Sequence, residues 1–220
     1  MHPGLESLED RVLLAATNPL ELATLDGTNG FTLNGVAALD RFGFSVSGAG
    51  DVNGDGFDDL LIGAVYAGSN GANSGAAYLV FGTAEGTQVS LELATLDGTN
   101  GFTLNGVAAL DQTGSAVSGA GDVNGDGFDD LLIGAHFADP NGSKSGASYV
   151  VFGGTSNLSA LDAVTSSGGT AGDGRINLAD LDGTTGFVLN GSTEGDYSGE
   201  AVSGAGDVNG DGFDDLLIGA

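Results

Sequence analysis

The chain repeats one nonapeptide, Asp-Val-Asn-Gly-Asp-Gly-Phe-Asp-Asp, three times without a single change. Oxygen-bearing side chains alternate with glycine in this string, a pattern typical of a loop that wraps a hard cation such as Ca²⁺. Three copies indicate a repeat protein whose repeating unit carries a metal site, and this limits the folds that the chain can adopt. The copies occupy residues 51–59, 122–130 and 207–215.

The charge of the chain is strongly negative and unevenly distributed. It has 30 Asp and Glu residues against 4 Lys and Arg residues, a formal net charge of −26. Nucleic acid is excluded as a partner, because too few cations are present to neutralise phosphates. Acidic disorder is disfavoured, since 40% of the residues are hydrophobic. Each nonapeptide contains four Asp, so the copies hold twelve of the thirty acidic residues. The negative charge is therefore concentrated in the predicted metal loops.

A second landmark, Gly-Phe-Thr-Leu-Asn-Gly or its Val variant, accompanies each nonapeptide. It occurs at Gly30–Gly35, Gly101–Gly106 and Gly186–Gly191. Both landmarks advance by 71 residues and then by 85, so 14 extra residues separate the second and third copies. The extra residues fall at about 155–177, a stretch rich in Ser, Gly, Thr and Ala, which predicts an inserted surface loop.

Four segments of the repeat unit have the pattern of short β-strands. Phe44–Ser47 alternates apolar and polar residues, whereas Leu60–Ile62 is continuously apolar and suits a strand buried on both faces. Ala76–Phe81 and Phe31–Leu33 supply two more, and glycine turns separate them. Four short strands in a unit of this size predict a β-propeller blade. No helical pattern of useful length follows residue 20, and no segment approaches the ~20 apolar residues that span a bilayer.

The stretch from Gly50 to Ala64 resembles the FG-GAP repeat of integrin α-subunit propellers and of related bacterial surface proteins. Phe42-Gly43 precedes the first loop as in that family, whereas the other two copies lack the Phe, and no proline follows Gly63-Ala64. The resemblance covers residues 21–220 and implies an all-β fold, a partial β-propeller of about two full four-stranded FG-GAP blades plus partial ones. Because propellers of this family have seven blades, we expect either a fragment of a longer gene product or self-association that closes the circle.

The spacing and the resemblance together assign five oxygen ligands to each loop. They are the carboxylates of positions 1, 5 and 9, the amide oxygen of position 3 and the backbone carbonyl of position 7. An EF-hand is excluded, because position 12 is Ile in every copy instead of a carboxylate. We therefore expect about three Ca²⁺ sites and no other cofactor. The ligand sets are Asp51, Asn53, Asp55, Phe57 and Asp59; Asp122, Asn124, Asp126, Phe128 and Asp130; and Asp207, Asn209, Asp211, Phe213 and Asp215.

Residues 1–20 precede the repeats, and two interpretations of them stay open. The Leu-Glu-x-x-x-x-Arg-x-Leu-Leu string resembles a short segment that opens many large bacterial surface proteins, and would be targeting-like. Alternatively, Leu5, Leu8 and Val12 would form the apolar side of a short amphipathic helix.

No catalytic group is predicted, and the chain is not expected to be an enzyme. Its only histidines are His2 and His136, so no histidine-based triad can be assembled. The resemblance implies an extracellular or cell-surface, calcium-binding propeller segment with an adhesion, matrix or scaffold role and a protein or glycan ligand. The alternative is the non-catalytic propeller part of a secreted hydrolase or lyase that acts on carbohydrate or lipid.

Overall fold

Short β-strands account for most of the regular structure in the computed structural model. It describes residues 21–27, 30–83, 90–164 and 170–220; the segment 1–20, for which a targeting-like or helical role is predicted, lies outside them. The strands are Thr32–Asn34 (β1), Phe42–Gly50 (β2), Asp59–Ala64 (β3), Ala76–Val80 (β4), Ser90–Glu92 (β5), Gly101–Asn105 (β6), Ala116–Gly121 (β7), Asp130–Ala135 (β8), Ala147–Val151 (β9), Arg175–Asn177 (β10), Gly186–Asn190 (β11), Val202–Gly206 (β12) and Asp215–Ile218 (β13).

Two sheets with four antiparallel strands each, and the first two strands of a third, follow one another along the chain. The first orders its antiparallel strands β2, β3, β4 and β6 and has β10 as a fifth, parallel strand beside β6; the second orders β7, β8, β9 and β11, and β12 pairs with β13. The outermost strand of each blade belongs to the next repeat, with Tyr78 of β4 opposite Thr103 of β6. This arrangement confirms the predicted all-β fold of partial propeller blades, with two blades complete.

Two short parallel strand pairs, a feature that the sequence reasoning missed, accompany the blades: β1 and β5 form a sheet of their own, and β10 extends the edge of the first blade. Strand β5 runs parallel to β1, and β10 runs parallel to β6. Each is followed at once by a single 3₁₀ turn, Leu93–Thr95 after β5 and Leu178–Asp180 after β10. The leucine that opens each turn is buried. These described parts of the linkers are therefore packed into the core.

The hydrophobic core lies between the blades, because the second strand of each blade has neighbours on both faces. Leu61 of β3 lies in one cluster with Leu131 and Ile133 of β8, between the first and second blades. The next residue in each strand points the opposite way, so Ile62 belongs to a separate cluster, and Leu132 faces the apolar residues of β12 and β13. The continuous apolar run thus serves two neighbours, as predicted for a strand buried on both faces.

The stretch 155–177, predicted as a surface loop, is corrected by the structure. It begins with an α-helix, Thr155–Asp162 (α1), and ends in β10. The helix buries Leu158 and Leu161 in the cluster between the first two blades, and Ile176 of β10 joins them. A few well-spaced apolar residues order much of the insertion despite its polar composition. In the part of the chain that the structure describes, no helix has the length or apolarity to cross a membrane.

Replacing Leu61 by Ala should destabilise the fold far more than the same change at Leu39. Leu61 is fully buried, whereas Leu39 is 88% exposed. The buried substitution leaves a cavity between two blades and should lower the free energy of unfolding by about 2–5 kcal/mol; the exposed one should cost less than about 0.5 kcal/mol. Urea denaturation of both variants in one buffer measures the difference, and equal losses would contradict the inter-blade core.

Candidate metal centres

Each metal loop joins the first two strands of a blade, and its ninth residue begins the second strand. The chain must reverse twice within the loop, which requires positive φ angles of 78° at Gly54 and 90° at Gly56. Only glycine adopts such angles without strain. The other two loops repeat these values to within 2° at the matching glycines. Identical sequence therefore gives one loop conformation three times.

The carboxylate of the first residue lies at the centre of its loop. Oδ1 of Asp51 accepts the N–H groups of Gly54 and Asp55 at 2.8 and 3.0 Å, and Oδ2 accepts that of Gly56 at 2.8 Å. Asp122 and Asp207 make the same three hydrogen bonds in their own loops. The turn thus wraps its backbone amides around one negatively charged side chain.

The third and fifth residues bond to each other beside that carboxylate. The side-chain amide of Asn53 donates to Oδ2 of Asp55 at 3.0 Å, and its oxygen accepts the Asp55 N–H at 2.8 Å. Oδ1 of Asp55 also accepts the N–H of Phe57. The second loop repeats this set. Predicted ligands at positions 1, 3 and 5 therefore occupy one side of a compact turn.

The ninth residue attaches its loop to the rest of the blade. Asp59 is fully buried; Oδ2 accepts the N–H of Val52 at 3.0 Å and Oδ1 accepts that of Gly82 at 2.8 Å. Asp130 is buried in the same way between Val123 and Gly153. One side chain therefore closes the loop and fixes it to the end of the third strand.

The third loop keeps this closure in a more open setting. Oδ2 of Asp215 accepts the N–H of Val208 at 3.0 Å, as in the other copies. Its Oδ1 accepts a 3.3 Å hydrogen bond from the side-chain amide of Asn209. In the first two loops the equivalent asparagine donates to the fifth residue instead. Asp215 is only partly buried. Because the three loops have the same sequence, the differences at the third loop come from its surroundings.

Burial makes the charge of the ninth residue costly in the first two loops. Loss of hydration raises the pKa of Asp59 to about 6, and the neighbouring charges of Asp55 and Asp51 push in the same direction. Burial likewise raises the pKa of Asp130 to about 7, although hydrogen bonds from backbone amides oppose the change. A nearby cation would favour the ionised form of both groups.

The phenylalanines at position 7 of the second and third loops each contact the loop before them. The side chains of Phe57 and Phe213 are partly exposed. The ring of Phe128 in the second loop packs directly on Gly54 of the first, where a Cβ atom would collide with it. The ring of Phe213 packs on Gly125 in the same way. The seventh residue thus contributes an inter-blade contact as well as the carbonyl predicted as a ligand.

The donor set fits a hard cation by its chemistry, although its side chains are turned toward the backbone of the loop. Every proposed ligand is an oxygen, and three of the four carboxylates in each nonapeptide are among them. Over the described ranges, no three acidic or histidine side chains converge in an arrangement that would hold a metal ion as it stands. Ca²⁺ coordination would therefore exchange some carboxylate–amide hydrogen bonds for contacts with the ion.

The sequence reasoning missed one further acidic position, the eighth residue of the loop. Oδ2 of Asp129 in the second loop accepts the N–H of Asp51 in the first, at 2.8 Å. Oδ2 of Asp214 in the third loop accepts the N–H of Asp122 in the second, at 2.9 Å. The only available signal was the unchanged Asp-Asp pair that ends every nonapeptide. Consecutive metal loops are therefore hydrogen-bonded to each other.

Comparison with known proteins gives a match to the FG-GAP repeat model. It matches three times, at residues 42–80, 113–151 and 198–220, and each match includes one metal loop.

Integrin α chains are among the relatives. Integrin alpha pat-2 of Caenorhabditis elegans is 37% identical over 95 residues, which cover 43% of this chain and 7% of the relative. Integrin alpha-5 of Xenopus laevis is 29% identical over 194 residues, 86% of this chain and 16% of the relative. A bovine phosphatidylinositol-glycan-specific phospholipase D is 33% identical over 161 residues, 70% of this chain and 18% of the relative. The chain thus spans a small part of each of these proteins.

Stability measured in chelator should fall as the pH rises from about 4 to about 7. A carboxyl group with a raised folded-state pKa contributes stability that is fully present below its unfolded pKa of ~3.9. For Asp130, that contribution is lost as the pH rises through its folded pKa of about 7. Asp130→Asn cannot titrate, so its free energy of unfolding should decline less steeply. Urea denaturation at constant ionic strength measures the slope.

Asp211→Asn is the matched control for this pH experiment. It removes an exposed carboxylate from the third loop, whose charge is not among those acting on Asp130, and should keep the wild-type slope. The same slope in Asp130→Asn and the wild-type chain would show that the buried carboxylate does not retain its proton.

Proposed function

The chain contains three FG-GAP repeats, and from this identity we propose that it is an extracellular, calcium-binding β-propeller segment with an adhesion, matrix or scaffold role. The observation that carries the proposal is the repetition of one oxygen-rich loop, in one conformation, between the first two strands of successive blades. The similarity to integrin α chains supports a protein or glycan partner at the cell surface.

Calcium is proposed over magnesium because of the donor set. The ligands would be the side chains of positions 1, 3, 5 and 9 with the carbonyl of position 7, and a flexible shell of many oxygens suits Ca²⁺. Mg²⁺ demands stricter octahedral geometry and retains more of its water. Bound calcium would neutralise part of the carboxylate charge of each loop. The chain itself holds the carboxylates together through the closures at Asp59 and Asp130.

The expected affinity for Ca²⁺ determines the calcium concentration at which such a segment would be stabilised. Extracellular modules bind Ca²⁺ with dissociation constants of ~10⁻⁴–10⁻³ M. At millimolar calcium, each loop then gains only about 0.5–1.5 kcal/mol by mass action. Three loops together would add a useful fraction of the stability of a domain. A medium with millimolar calcium is therefore the setting in which the repeats would be well ordered.

We propose that the segment is not itself catalytic. The chain has two histidines, His2 and His136. His136 packs beside Phe137 and Tyr197, outside the nonapeptides that hold the proposed ligands. The densest groups of carboxylates are those of the proposed calcium loops. The relatives named integrin α support the same view.

A second candidate function is supported by one relative, the bovine phospholipase D. The chain would then be the non-catalytic propeller part of a secreted hydrolase or lyase that acts on carbohydrate or lipid. The two functions differ in what accompanies the repeats in the gene product. A hydrolase domain joined to the repeats would favour the second, and further repeats with other adhesive modules would favour the first.

Calorimetric titration should detect about three Ca²⁺ ions per chain, and calcium should raise the melting temperature relative to chelator. The variants Asp55→Asn, Asp126→Asn and Asp211→Asn should each remove about one ion, because each loses a proposed carboxylate ligand. The triple variant should show neither binding nor a calcium-dependent melting temperature. Unchanged stoichiometry in the triple variant would refute the assignment of the loops.

Asp58→Asn is the control for this experiment. It removes the same charge from the first loop, at an exposed position outside the proposed ligand set, and should keep all three ions. If it lowered the stoichiometry as Asp55→Asn does, net charge instead of specific ligands would account for binding.

The adhesion role is tested with the purified chain on arrays of glycans and extracellular matrix proteins. A ligand that is retained in millimolar calcium, released by chelator and not bound by the triple variant would support it. Uniform background binding in calcium and in chelator would speak against a role for the loops in adhesion.

A further inference from the structure

We propose that Asp129 and Asp214 are positioning residues for the metal loop of the preceding blade, so that calcium affinity at one loop depends on a side chain from the next. This role rests on the proposed function of the loops as calcium sites. Neither residue belongs to the ligand set of its own loop. Their contacts point across the blade boundary.

Two hydrogen bonds clamp the first residue of the preceding loop. Oδ2 of Asp129 accepts the N–H of Asp51 at 2.8 Å, while the N–H of Asp129 donates to the carbonyl of Asp51 at 3.4 Å. The next pair repeats the arrangement, at 2.9 Å from Asp122 to the carboxylate of Asp214 and 3.1 Å in the return direction. The backbone N–H and the backbone carbonyl of Asp51 are therefore both bonded to the next blade, and those of Asp122 are bonded in the same way.

The glycine before each clamped aspartate shows how closely the carboxylate of the next blade approaches the loop backbone. Gly50 has a φ of +73° and Gly121 a φ of +71°. A Cβ atom on either would collide with the carboxylate of Asp129 or Asp214. The Gly-Asp pair that opens the loop therefore leaves room for the side chain of the next blade, and a larger residue would displace it.

The clamp acts on the residue around which the loop is built. Asp51 holds three amides of its own loop on one carboxylate, and that carboxylate is also the first proposed ligand. The direction of its side chain depends on its backbone, which Asp129 fixes. Without the clamp, the carboxylate would have to be ordered when calcium binds, and that ordering would weaken the affinity.

The chain supplies its own comparison positions. Asp58 is the eighth residue of the first loop, and within the described residues its carboxylate accepts no hydrogen bond of the kind that Asp129 accepts from Asp51. Over those same residues, the N–H of Asp207 in the third loop has no acceptor like Asp129, and the space beside Gly206 is open. Within the described residues, the first two loops are thus clamped and the third is not, although the sequences are identical.

The test is a CaCl₂ titration of the full chain followed by ¹H–¹⁵N NMR, because the loop glycines report each site separately. Gly54 and Gly56 report the first loop, whereas Gly210 and Gly212 report the third. Asp129→Ala should weaken calcium binding at the first loop by about three- to tenfold, the cost of losing one ordinary hydrogen bond. Binding at the third loop should not change.

Two further variants separate positioning from charge. Asp129→Asn removes the charge but keeps an oxygen that can accept the Asp51 N–H, so it should restore most of the affinity that Asp129→Ala loses. Asp58→Ala should leave both loops unchanged. Equal weakening by Ala and Asn at residue 129 would overturn positioning in favour of simple electrostatics.

Amide hydrogen exchange in chelator checks the clamp without calcium. Asp129→Ala should speed exchange of the Asp51 amide, and Asp129→Asn should largely preserve its protection. A wild-type calcium response with an unaffected first loop in Asp129→Ala would overturn this role alone. No calcium response in the wild-type chain would overturn the proposed function, and the positioning role with it.

Discussion

The burial of one carboxylate at the end of each of the first two metal loops holds loop and blade together. Asp59 receives one N–H from Val52, near the start of its loop, and another from Gly82, beyond the third strand. A single side chain therefore closes the turn and fixes it to a strand that lies elsewhere in the sequence. This burial desolvates the negative charge of Asp59, which also lies near the charges of Asp55 and Asp51, and the pKa of Asp59 therefore rises. The blade is organised around a charge that a cation would stabilise.

The blades in turn depend on each other, because none can bury both faces alone. The alternation in the Leu-Leu-Ile strand sends Leu61 toward the second blade and Ile62 the other way. Polar contacts reinforce the same boundary: the hydroxyl of Ser45 donates to the carbonyl of Gly114 at 2.8 Å. Stability in such an array comes from the interfaces between repeats as much as from the repeats themselves. A contact between metal loops of adjacent blades therefore lies on the boundary that already carries the core.

Much of the fold could be predicted from the sequence, because repetition and periodicity are local signals. The strand pattern and the two landmarks predicted four-stranded blades, and the structure confirms them. Helix α1 was missed because it spans only eight residues and presents two leucines, Leu158 and Leu161, in a polar stretch. The clamp by Asp129 was missed for another reason: its partner lies 78 residues earlier. Only the approach of two blades brings them together, and the ligand positions themselves remain predictions.

Loops of identical sequence differ in burial, and this difference comes from their neighbours: Asp130 is fully buried, whereas Asp215, at the same position of the third loop, is only partly buried. The buried end of the second loop raises the pKa of Asp130 to about 7. In the exposed third loop, hydrogen bonds from backbone amides, first that of Gly212, lower the pKa of Asp207. Asp130 is the ninth residue of its loop and Asp207 the first of its own, so burial acts on one position of the motif and amide hydrogen bonds on another. A cation would compete with the backbone amides for the carboxylate oxygens, and it would offset the cost of burying their charge. The surrounding blades, and not the motif alone, would therefore set how readily each loop binds a cation.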